Sequence, residues 1–91
     1  FTHNMKWLID YKKSLKCIRC GENHPACLEF HHRDPSTKIG EIPKMVRQPK
    51  TYTLKQVEQE IEKCDVLCAN CHKKTHYEEY YDRLDALLLG E

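Results

Sequence analysis

This 91-residue sequence has no apolar run long enough to cross a bilayer and no recognisable signal peptide, which excludes a membrane-spanning reading. It also has no internal repeat and no low-complexity tract, so solenoid and disordered-linker architectures are out. A strong charge of either sign is missing as well. At a formal net charge of +1, the overall balance does not announce a polyanionic partner. Length points to a single domain, residues 1–91, with a thin core that needs a staple. The chain opens at Phe1 and not at an initiator Met, which is compatible with a piece of a longer protein.

What is present is cysteine and histidine in pairs. Cys17 and Cys20 form one Cys-x-x-Cys, Cys68 and Cys71 a second, and a long insert separates them. Six cysteines in a short chain are also compatible with a secreted disulfide framework, but two such pairs are the expected form of a four-thiolate zinc site. That reading places the chain in a reducing, cytoplasmic setting. Cys27 and Cys64 are left over and read as small buried apolar side chains. His72 and His76 stand four apart, so a helix there puts them on one face. His31 and His32 follow the alternating run Ala26 to His32, which reads as a strand, and Asp34-Pro35 stops it. Adjacent strand residues face opposite ways, so both histidines reach one pocket only if the strand bends or ends there. A strand-borne pair set against a helix-borne pair offers a second metal site open to water, with an unligated imidazole beside it able to act as general base. His3 and His24 read as surface residues.

The remaining elements are coarser. Met5, Leu8, Ile9, Lys12 and Leu15 predict a helix over 4–15, with Trp7 and Tyr11 on a neighbouring stripe. Gly21 closes the first cysteine knuckle, where a positive φ is expected. Residues 36–52 read as a long excursion with little regular structure. Thr53 and Gln56 match a capping box, and Leu54, Val57, Ile61 and Cys64 predict a helix of about three turns. Residues 65–67 read as a short extended link. Tyr77, Tyr80, Tyr81, Leu84, Leu87 and Leu88 carry a helical stripe on to Gly90. The Tyr80, Leu84, Leu87 and Leu88 part is expected to be partly exposed and to form a homodimer through the C-terminal helix. Basic side chains cluster in residues 1–21 and 36–57, acidic ones in 58–65 and 78–91.

Leu28-Glu29-Phe30-His31-His32-Arg33-Asp34-Pro35, followed by Cys64-Asp65-Val66-Leu67-Cys68-Ala69-Asn70-Cys71-His72, resembles the HNH endonuclease family in its zinc-bearing form, common among phage and bacterial nucleases. The resemblance covers about residues 15–77. It implies an α+β chain: a small zinc-stapled ββα-metal domain with flanking helices, in which a hairpin and a helix hold one divalent cation over a scissile phosphate. Carried over by position, His32 corresponds to the general base, His31 to the metal ligand before it, and His72 and His76 to the helix ligands. The implied activity is metal-dependent hydrolysis of DNA phosphodiester bonds, by nicking or by double-strand cleavage. Its cofactors are a structural Zn2+ and one catalytic divalent cation, Mg2+, Mn2+, Ni2+, Co2+ or Zn2+. Arg33, Lys73 and Lys74 flank the site and are expected to hold phosphates. The sequence departs from the family at the Asn that braces the loop carrying the base, since Lys63-Cys64-Asp65 stands there; Asp65 or backbone groups are the candidate substitutes. The competing readings are a ribonuclease or toxin-like nuclease, and a non-catalytic zinc module that binds nucleic acid or protein.

Overall fold

A computed structural model describes residues 2–90. Among them are four α-helices and one antiparallel two-stranded sheet: α1 (Thr2–Lys12), β1 (Leu28–His32), α2 (Ile42–Val46), α3 (Leu54–Ile61), β2 (Cys64–Cys68) and α4 (Ala69–Leu89). The strands pair from Leu28 opposite Cys68 to His32 opposite Cys64. They are not joined by a tight turn. The segment carrying α2 and α3 lies between them, so the pair is no simple hairpin. No described helix is long and apolar enough to cross a membrane.

Two apolar clusters hold the chain. The larger gathers Leu8, Phe30, Ile42, Met45, Val46, Val57, Ile61 and Cys64, with Trp7, Tyr11 and Tyr52 packed on its edge. The smaller consists of Cys17, Leu28, Leu67, Cys68 and Cys71, and Leu15 and Val66 touch both clusters. The second cluster is therefore largely sulfur, and the apolar surface it buries is modest.

Several expectations hold and several need correction. Gly21 adopts φ +81°, and its N–H closes the knuckle on the Cys17 carbonyl at 2.9 Å. The Thr53–Gln56 capping box forms in both directions and starts α3. However, α3 ends at Ile61, and Cys64 is the first residue of β2 rather than the last position of the helical stripe. The link at 65–67 belongs to that strand. The 36–52 excursion is not featureless, since Ile42, Met45 and Val46 of α2 are among the most buried side chains in the protein. Ile9 is exposed, and the neighbouring Trp7 and Tyr11 stripe packs against the core in its place. The helix α4 continues past the body of the fold, leaving Tyr77, Tyr80, Tyr81, Leu84, Leu87 and Leu88 exposed. Gly90 stops it in an ordinary right-handed conformation.

Candidate metal centres

The Cys17–Gly21 turn and the β2–α4 junction bring four thiols together. The Sγ atoms of Cys17, Cys20, Cys68 and Cys71 lie within 4.8 Å of one another, and those of Cys20 and Cys68 are 3.6 Å apart. A tetrahedral zinc with bonds of about 2.3 Å sets its sulfurs about 3.8 Å apart, so the donor set and its spacing fit that ion. Cys68 also caps α4, its Sγ accepting from the Cys71 N–H at 3.4 Å. The thiols share charge unevenly. Burial pushes Cys17 up, but hydrogen bonds from the backbone of Cys68, Cys20 and Arg19 overcome this and bring it down to about 6. Cys71 is pushed up to about 12, first by its contact with Cys68 and then by burial. Four thiolates repel one another, and a cation at their centre offsets that repulsion. Cys64 stands apart: burial first, and then the Glu60 charge, pushes its thiol up to about 11, and its Sγ donates to the Glu60 carbonyl.

About one helical turn further along α4, His72 and His76 meet His31 of β1. The three offer ligand nitrogens within 4.8 Å of one another. The Nε2 atoms of His72 and His76 are 2.9 Å apart, and the His31 ring centroid lies 5.2 Å and 4.9 Å from theirs. Nitrogens on a tetrahedral zinc stand about 3.3 Å apart, so the triad is close to ligating geometry for a second ion. Glu29 lies two residues before His31 on the strand, and its Oε1 accepts from His72 Nδ1 at 2.8 Å. That bond leaves Nε2 bare for a metal, the usual arrangement in which a carboxylate orients a metal-binding imidazole. Glu79, a further turn along α4, lies at the rim, its Oε1 3.0 Å from His31 Nε2 and its Oε2 3.7 Å from His76 Nδ1.

His32 reaches the same place from the neighbouring strand position. A cavity of about 240 Å³ is lined by His31, His32, His72 and His76 together with Lys38, Glu41 and Glu79. The strand ends at His32, and the turn at Pro35–Thr37 follows, which is the bend that lets adjacent residues face one cavity. His32 is 8 % exposed, and its Nε2 donates to Glu60 Oε2 at 2.8 Å. Glu60 is 1 % exposed, on the buried face of α3 between Val57 and Ile61. Burial would raise its carboxyl, but Lys63, the Ile39 N–H and His32 overcome this and hold it at about 2.

No protein-family model, curated protein or solved structure matches the chain. The site therefore stands on its own geometry.

The structure brings together every cysteine and histidine singled out as a ligand or base, and separates the flanking cations. Lys73 and Lys74 are exposed on α4 beside His72. Arg33 is committed elsewhere: its guanidinium donates to the carbonyls of Cys64 (2.9 Å) and Glu62 and to Asp65 Oδ1 (3.2 Å). Asp65, the candidate brace for the loop carrying the base, thus serves Arg33. Glu29, Glu60 and Glu79 are absent from the sequence-based set. A signal existed for two of them: Glu29 shares a strand face with His31, and Glu60 is a charge inside the Val57–Ile61 apolar stripe. His24 is accounted for by the fold, its Nδ1 accepting from the Ala26 N–H.

Proposed function

We propose that the chain is a metal-dependent endonuclease of the HNH type that hydrolyses DNA phosphodiester bonds. The observation that supports it best is the single cavity in which His32 stands beside the His31–His72–His76 triad, a turn away from the four-thiol cluster. A structural zinc has no use for an imidazole outside its ligand set, whereas hydrolysis can use one beside a cation as general base.

In this reading the cysteine cluster carries the structural zinc and fixes the start of α4, which aims His72 and His76 at β1. His31, His72 and His76 would hold the catalytic divalent cation. That cation, when bound, supplies electrostatic stabilisation of charge developing on the phosphate and on the leaving oxygen. Three imidazoles favour zinc, nickel or cobalt by affinity, while magnesium and manganese suit a site completed by water and phosphate oxygens. Glu29 keeps His72 in the tautomer that can ligate. His32 takes the proton from the attacking water. Lys73 and Lys74, exposed on α4 beside His72, would contact phosphates in this reading, a positional rather than sequence-reading contribution.

The test is supercoiled plasmid incubated with the purified chain in EDTA and in added magnesium, manganese, nickel, cobalt or zinc. Cleavage that appears with a cation and vanishes in EDTA is the expected result. DNA binding without cutting under any cation overturns the reading in favour of a non-catalytic zinc module.

The exposed Tyr80, Leu84, Leu87 and Leu88 face extends the proposal to a pair of chains. In the sequence Arg83 stands between Asp82 and Asp85, charges of opposite sign that a second copy could pair. Sedimentation should show a concentration-dependent dimer that Leu84→Lys abolishes, and a monomer at all concentrations removes this part.

A further inference from the structure

The nuclease reading accounts for His32 but says nothing of the carboxylate buried against it. Glu60 is among the most completely buried side chains in the protein, yet it is charged. Its Oε2 accepts from His32 Nε2 at 2.8 Å and from the Ile39 N–H at 2.9 Å, while Oε1 pairs with Lys63 Nζ at 2.9 Å. Donors from three segments of the chain thus converge on one group. A carboxylate enclosed in this way cannot rotate toward another partner without leaving a buried charge unpaired.

The consequence falls on the imidazole. A carboxylate only accepts, so the His32 proton must lie on Nε2. Among the described residues the bond to Glu60 is the one the His32 ring makes, and no fully enclosed side-chain nitrogen lacks a partner, so Nδ1 is accessible from outside, on a ring that lines the cavity. We propose that Glu60 is a positioning residue for His32, holding the ring in the tautomer whose bare Nδ1 faces the cavity of the histidine triad. The assignment rests on the nuclease reading for its use, but not for its geometry. When Nδ1 takes a proton, Nε2–H stays donated to Glu60, and the new positive charge forms beside a negative one already in place. The Ile39 bond extends the arrangement, tying the segment that carries Lys38 and Glu41 to the cavity wall. Glu60 thereby does what the absent family Asn would do: it braces the base.

The experiment has two arms. Long-range nitrogen–proton NMR on the zinc-loaded chain with labelled histidine reads the His32 tautomer directly, and the expected result is a proton on Nε2. Finding it on Nδ1 overturns the proposal whether or not any variant folds. Glu60→Gln should then give a mixture of tautomers. In plasmid cleavage it should lower kcat tenfold to a hundredfold with KM within twofold, at unchanged zinc content. Lys63→Ala removes the other charged partner of Glu60 but leaves the His32 bond, and should keep kcat within twofold of the parent. Equal losses of kcat in the two variants, or an unchanged tautomer in Glu60→Gln, overturn the proposal in favour of a purely structural ion cluster. A chain that cuts no DNA with any cation fails the nuclease reading instead, and the tautomer still decides whether Glu60 holds the ring.

Discussion

Cys68→Ser is expected to unfold the chain, and so is removal, by a strong chelator, of the zinc proposed for the four-thiol cluster. Serine keeps the oxygen that can cap α4 in place of the Cys68 sulfur, so the variant isolates ligation from capping. Magnitudes decide the outcome. A four-thiolate zinc contributes roughly 10–16 kcal/mol of apparent binding energy, while a chain of this size has a total stability of order 5–15 kcal/mol. The smaller core cluster offers no fallback, because three of its five buried members are the candidate ligands themselves. Metal analysis should find one tightly held zinc in the parent, and circular dichroism should show loss of helix in Cys68→Ser. Cys64→Ala is the control: its thiol is held protonated by burial and lies outside the cluster, so zinc content should not change. A Cys68→Ser chain that stays folded without metal would remove zinc as the staple.

His32→Ala carries the second large effect, a fall in DNA cleavage of about 10²- to 10⁴-fold, the range general-base catalysis contributes. The residue is not a member of the ligand triad, so cobalt or nickel titration at the second site should be unchanged within a few-fold. His72→Ala should behave in the opposite order, losing that ion first and activity as a consequence. Cleavage at the parent rate in His32→Ala would assign the base elsewhere, with Glu79, whose Oε1 lies 3.0 Å from His31 Nε2 at the rim of the triad, the next candidate. Truncating His32 also leaves Glu60 short of one donor in the core, so thermal denaturation belongs beside the rate. A loss of rate far beyond any loss of folded protein is the signature of chemistry.

The ligands were legible because their spacing is local. Cys-x-x-Cys closes within one turn, and His72 and His76 lie one helical turn apart whatever the rest of the chain does. The capping box at Thr53 was legible for the same reason. Other features depend on distant partners. The helix α2 has five residues, too few to show a period, and only its neighbours make Ile42, Met45 and Val46 a buried face. Cys64 continues the three-and-four spacing of α3, yet pairing with His32 across the sheet outweighs that local preference and draws it into a strand. Glu60 is the sharpest case. A glutamate on a helix ordinarily marks the solvated side, and only the arrival of His32, Ile39 and Lys63 makes its burial tolerable.

The two strands come from opposite halves of the chain, with α2 and α3 inserted between them. Every bond of that ladder must wait for a long loop to close, and loop closure is the step that slows folding when contacts are remote in sequence. The two cysteine pairs flank the same ladder: Cys20 precedes β1, while Cys68 ends β2 opposite Leu28. An ion captured early by the thiols would therefore bring the strand ends together before the ladder forms. A metal at the thiols would then act on the rate of folding as well as on its end point, and without it both strands would wait longer for their partner.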